Sequence, residues 1–173
     1  MKKCVFFDRD GVINTRIVGS YVKSFNEFEL NENILPIFKF CDENDYIKIV
    51  VTNQQGIAKG YMTLEEVENV HNQLNDLLKK QYNIHPFVDF YIASEFRDSP
   101  PFRRKPSPKM LLEAKEKYNI DLSKSFMIGD MESDIIAGNS AGVSTIFYSE
   151  SKLNIANLSS FDTDEIIKFI GTK

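Results

Sequence analysis

Phe6-Phe7-Asp8-Arg9-Asp10-Gly11-Val12-Ile13-Asn14 is the stretch that decides the fold. The apolar run Cys4 to Phe7 stops at a carboxylate. A second carboxylate follows two residues on, and then a glycine. A buried strand that ends this way puts a negative cluster at its carboxyl end, where open α/β sheets place their chemistry. Two neighbouring carboxylates there are costly unless a cation binds them or one keeps a proton. The stretch therefore points to a hard metal ion and to phosphate chemistry.

The chain on either side has the matching periodicity. Short runs at 3–8, 46–52, 88–93, 125–129 and 143–148 are apolar and rich in β-branched or aromatic residues. That pattern predicts parallel strands buried on both faces. Helical patterns fill the gaps at 34–43, 107–118, 134–141 and 164–170. Another helix starts at Thr63-Leu64-Glu65-Glu66, a capping box in which hydroxyl and carboxylate satisfy free N–H groups. Behind the box, Leu64, Val67, Val70, Leu74, Leu77 and Leu78 recur at helical spacing. Ser107 and Pro108 read as N-cap and first helical residue. Strands alternating with helices predict an α/β, three-layer sandwich around a parallel, Rossmann-like sheet. Segments 15–30 and 94–104 are left over at the carboxyl end of that sheet. Neither is long enough for a large cap, so one domain over 1–173 is expected.

Composition narrows the classes. With 173 residues, 42% hydrophobic and 27% charged, the chain can bury a real core. A net charge of −4 gives no nucleic-acid footprint. No apolar stretch approaches the ~20 residues that span a bilayer. After Met1-Lys2-Lys3 the apolar run is too short for a secretory signal. Cys4 and Cys41 lie far apart, and both fall in apolar patterns. Buried free thiols and a reducing, cytoplasmic setting are expected. His71 and His85 are too isolated to suggest a metal site.

Four strand ends carry polar residues in sequence order. The first gives Asp8 and Asp10, and the second gives Thr52 and Asn53. Arg103-Arg104-Lys105-Pro106 follows the third, and Gly129-Asp130 ends the fourth, with Asp134 four residues on. Singly, each could be a turn, a helix cap or solvated surface. Together they bring carboxylates, a Thr/Asn pair and a lysine to one sheet edge. That set can supply a nucleophile, a metal site and donors to phosphate oxygens.

This ordered set, Asp-x-Asp-Gly, Thr-Asn, Lys-Pro and Gly-Asp-x-x-x-Asp, resembles the haloacid dehalogenase (HAD) superfamily of phosphotransferases. The likeness runs from Lys3 to about Tyr148. Asp8 to Asn14, Thr52-Asn53-Gln54-Gln55-Gly56-Ile57 and Arg104-Lys105-Pro106 are similar to the branch holding heptose-bisphosphate and histidinol-phosphate phosphatases. Tyr21-Val22 and Phe25 to Leu30 resemble the short insert of the heptose members.

The resemblance implies a Mg²⁺-dependent phosphomonoesterase. Asp8 attacks phosphorus and Asp10 serves as acid and base. Asp8, Asp10 (through its backbone carbonyl) and Asp130 hold Mg²⁺. Thr52, Asn53 and Lys105 bind the phosphoryl group, Arg104 contacts substrate, and Asp134 supports Lys105 or the metal. A carboxyl beside another carboxyl is expected to let Asp10 hold a proton near neutrality. The implied substrate is heptose 1,7-bisphosphate, losing its 7-phosphate, with histidinol phosphate as the alternative. A monomer acting on a small phosphorylated sugar is expected, with no nucleic-acid or membrane partner.

Two departures stand out. Many members of this branch bind a structural zinc before the lysine, but segment 94–104 has no Cys and no His. No zinc is expected, and Pro100, Pro101, Phe96 and Phe102 are expected to anchor the loop instead. Met131 follows Asp130 where members often carry lysine. A phospho-accepting receiver would need its acceptor aspartate after the third strand, which instead runs into Ala93-Ser94. A non-catalytic binding domain is the remaining alternative, although every catalytic position holds a competent residue.

Overall fold

The structure, a computed structural model, describes residues 1–173. Six strands form one sheet: β1 (Lys3–Phe7), β2 (Tyr46–Asn53), β3 (Asp89–Ala93), β4 (Phe126–Gly129), β5 (Ser144–Phe147) and β6 (Leu158–Ser159). Their order is β3-β2-β1-β4-β5-β6, and every neighbouring pair is parallel. The α/β expectation holds, with β1 at the centre.

Side-chain alternation splits the core in two. Val5 and Phe7 of β1 face one layer, with α1 (Leu35–Glu43), α2 (Leu64–Gln81) and α5 (Thr163–Ile170). Cys4 and Phe6 face the other, with α3 (Lys109–Tyr118) and α4 (Glu132–Ala141). Both β1 faces are therefore dry, and so its sequence reads as a continuous apolar run. Phe7, Phe38 and Phe87 meet edge to face at 5.1–5.8 Å between ring centres. Cys4 and Cys41 are both buried free thiols.

Local signals mostly act as read. Thr63 accepts from the Glu66 amide at 3.1 Å, and Glu66 accepts from the Thr63 amide at 2.7 Å, closing the capping box. The start of α3 is corrected: Pro108 is itself the N-cap, and the helix begins at Lys109. The last strand, β6, is two residues long and was not anticipated, because no period can be read from two residues. Segment 15–30 is tied down by buried Val22 and Phe28 and by a bridge between Asn14 and Leu30. It forms a wall beside the sheet's carboxyl edge.

Candidate active site

Asp8 leaves the end of β1 with its amide still donating to Ile128 at 2.9 Å. Its carboxylate meets Lys105 Nζ at 2.8 Å. The same ammonium lies 2.7 Å from Asp134 and donates to the Val51 carbonyl at 2.7 Å. All three N–H bonds of Lys105 are thus used, which is how a buried lysine keeps its charge. Burial alone lowers the Lys105 pKa, but Asp134 and Asp8 outweigh it and the net shift is upward.

Asp8 behaves differently. Burial pushes its pKa up to about 6, against the pull of Lys105 and with the help of Asp134 and Asp10. Asp10 reverses the expectation from sequence. Burial raises it, but the Arg9 guanidinium and bonds from Asn14, Arg9 and Gln54 prevail, so its pKa is lowered. Arg9 donates to both Asp10 oxygens at 2.9 Å, Asn14 at 3.0 Å and Gln54 at 2.7 Å. The raised carboxyl is therefore Asp8. The reason is Arg9, a fully buried arginine between the two aspartates whose role the sequence did not reveal.

Two glycines make room for the cluster. Gly11 turns at φ +96°, and a Cβ there would overlap the Asp130 carboxylate. A Cβ at Gly129 would overlap Asp134. Asp134 also accepts from the Met131 amide at 3.0 Å, so it caps α4 while holding Lys105. One side chain thus bonds to the first turn of α4 and pairs with Lys105.

Carboxylate oxygens of Asp8, Asp130 and Asp134 lie within 4.8 Å of one another. Four aspartates (8, 10, 130 and 134) share the site with four cationic side chains, Arg9, Arg16, Arg104 and Lys105. Burial and Asp8 raise Asp130 as well, despite Arg16. A hard divalent cation fits this donor set of carboxylate and carbonyl oxygens.

The other sequence candidates divide. Asn53 reaches the site, but its amide is engaged with the Lys105 peptide, accepting from N–H at 2.9 Å and donating to C=O at 3.1 Å. One N–H of that amide remains. Thr52 is buried, and its oxygen accepts from Gln54 at 2.8 Å. Arg104 lines the same small cavity as Asp8, Asp10, Asn53, Lys105 and Asp134, and its Nη1 is buried with no partner.

Loop 94–104 is not anchored by its phenylalanines, since Phe96 and Phe102 are exposed. A polar tie replaces them. Glu95 accepts from the amides of Arg103 at 2.6 Å and Arg104 at 2.8 Å. Arg103 pairs with Glu113 at 2.7 Å. Arg103 is therefore tied into the loop's own bonding, while the Arg104 Nη1 has no partner. Arg16 escaped the sequence reading altogether, because nothing marks an arginine in an irregular loop as a site residue.

Asp-x-Asp-Gly directly after the central strand, with a buried lysine and two further aspartates on the same edge, defines a HAD-like hydrolase. The HAD-hydrolase-like family model matches residues 102–168. The chain is 36% identical over 82% of its length to D-glycero-beta-D-manno-heptose-1,7-bisphosphate 7-phosphatase of Helicobacter pylori, covering 80% of that protein. It is 34% identical over 84% of its length to the alpha-anomer enzyme of Photorhabdus laumondii, covering 81% of it. The D,D-heptose 1,7-bisphosphate phosphatase of B. bronchiseptica, solved with magnesium and phosphate, shares the fold. Its TM-score is 0.85 at 21% identity, over 98% of each chain. The chain is a phosphatase and belongs to the heptose-bisphosphate phosphatase family of HAD-like hydrolases.

Proposed function

We propose that the protein removes the 7-phosphate of D-glycero-D-manno-heptose 1,7-bisphosphate, for nucleotide-activated heptose synthesis, through an aspartyl-phosphate at Asp8. The supporting observation is the buried line Asp8–Lys105–Asp134, with Lys105 2.8 Å and 2.7 Å from the two carboxylates. Lys105 steers one Asp8 oxygen and carries positive charge to the transferring phosphoryl group. Asp8 attacks phosphorus, and the bond from phosphorus to the sugar oxygen breaks. Asp10 gives its proton to that oxygen, then takes one from the water that cleaves the aspartyl-phosphate. The incoming phosphate's negative charge raises Asp10's proton affinity, as the acid role requires.

Asp8, the Asp10 carbonyl and Asp130 would hold Mg²⁺, which would supply charge neutralisation for phosphoryl transfer. Asn53 and Thr52 donate to phosphate oxygens, and the unpartnered Arg104 nitrogen takes a substrate anion. The unit works as one domain and as a cytoplasmic monomer, with no structural zinc. No helix is long and apolar enough to cross a membrane.

Phosphate release from both heptose 1,7-bisphosphate anomers, fructose 1,6-bisphosphate and histidinol phosphate tests this. One heptose anomer should give the highest kcat/KM. Asp8→Asn should lose about 10³-fold or more. A preference for histidinol phosphate would overturn the substrate, and activity surviving in Asp8→Asn would overturn the nucleophile.

A further inference from the structure

Arg16 sits where the proposed metal would bind. Its Nη2 donates to the Asp10 carbonyl at 2.7 Å and to both Asp130 oxygens at 2.8 Å. It also lies 3.9 Å from Asp8 Oδ2. Those three groups are the ones assigned to Mg²⁺ above, and a guanidinium and a metal ion cannot both occupy their focus. Two neighbouring cations, Lys105 and Arg9, cannot take this place. Lys105 has spent its three N–H bonds, and Arg9 is buried against Asp10.

Arg16 is also the cation free to leave. It is 41% exposed and comes from segment 15–30, not from a strand end. It lines two cavities. One is the small site around Asp8 and Lys105. The other is an adjoining cleft of about 500 Å³ walled by Tyr21, Asn53, Lys59 and Tyr61. Lys59 and Arg16 against Asp10 leave that cleft with a net positive lining, which suits an anion at the far end of a substrate whose near phosphate meets Asp8.

We propose that Arg16 is a built-in competitor of the divalent metal, which, once displaced, serves the substrate's distal phosphate from the adjoining cleft. This rests on the metal site under Proposed function. Metal loading then releases the side chain that the bisphosphate needs, so the two ligands bind with positive linkage. A substrate with one phosphate gains nothing from that release.

Mg²⁺ titration by calorimetry without substrate, on the whole protein and on Arg16→Gln, tests the first half. Arg16→Gln should bind Mg²⁺ at least about fivefold more tightly. Its metal-free Tm should fall and its Mg²⁺-induced rise in Tm should grow. Lys59→Gln controls for general charge and should leave the Mg²⁺ Kd within twofold. Equal Kd values in wild type and Arg16→Gln, or equal tightening by Lys59→Gln, overturn the competition. If neither protein binds Mg²⁺, the metal reading fails with it. For the second half, Arg16→Gln at saturating Mg²⁺ should raise KM for heptose 1,7-bisphosphate and leave KM for p-nitrophenyl phosphate unchanged. Equal effects on the two substrates overturn the link to the distal phosphate.

Discussion

Arg9 shows how far a single residue can be read from sequence. The aspartates on either side of it were legible, because carboxylates ending an apolar run have few reasons to be there. Nothing in the sequence assigned a role to the arginine between them. In the structure it is fully buried, and its Nη1 lies 3.5 Å from His71 Nε2. His71 stacks on Phe90, 4.3 Å between ring centres. Burial, then the Arg9 charge, hold the His71 pKa down to about 3. In the unfolded chain it titrates near 6.5. Between those values the unfolded chain takes up a proton that the native one refuses, so stability falls as pH drops through that window. From pH 7 to 4.5 the wild type should lose up to about 3 kcal/mol more than His71→Gln, measured by urea unfolding. Equal losses in the two proteins would remove the buried neutral imidazole from the account.

Elements were legible where a pattern had length. The eighteen residues of α2, its capping box and the apolar face behind it left little choice. Loop 94–104 has no period, and its bonds join residues that sequence cannot pair. Glu95 and Arg103 were both legible as charges, but not as partners. Two peptide N–H groups converge on one Glu95 oxygen, and the second belongs to Arg104. That bond sets where the unpartnered guanidinium points. Glu95→Ala should cost about 1–2 kcal/mol of stability. It should raise KM for the bisphosphate while kcat holds, as urea melts and steady-state kinetics would report. A change in kcat alone would mean that the loop positions Lys105 and not Arg104.

At the scale of the molecule, the parallel sheet was legible from alternation, but its last strand and the packing of the C-terminal segment were not. Ile166 and Ile170 of α5 are fully buried in the layer shared with α1 and α2. The segment thus closes the side of the sheet away from the α3–α4 layer. Ile166→Ala should cost about 2–5 kcal/mol by denaturation, with kcat per folded molecule unchanged. A fall in kcat would give the segment a part in the chemistry. The position of β1 has a temporal consequence as well. It is an early strand held between β2 and β4, so Val5 must wait for Phe126 to be synthesised before its second edge is covered. Such long-range pairing is slow to form. Asp130 and Asp134 arrive only with and after β4. A nascent or truncated chain therefore carries Asp8 and Asp10 without Asp130 and Asp134, and the full acidic cluster at the sheet's edge is withheld until most of the protein has been made.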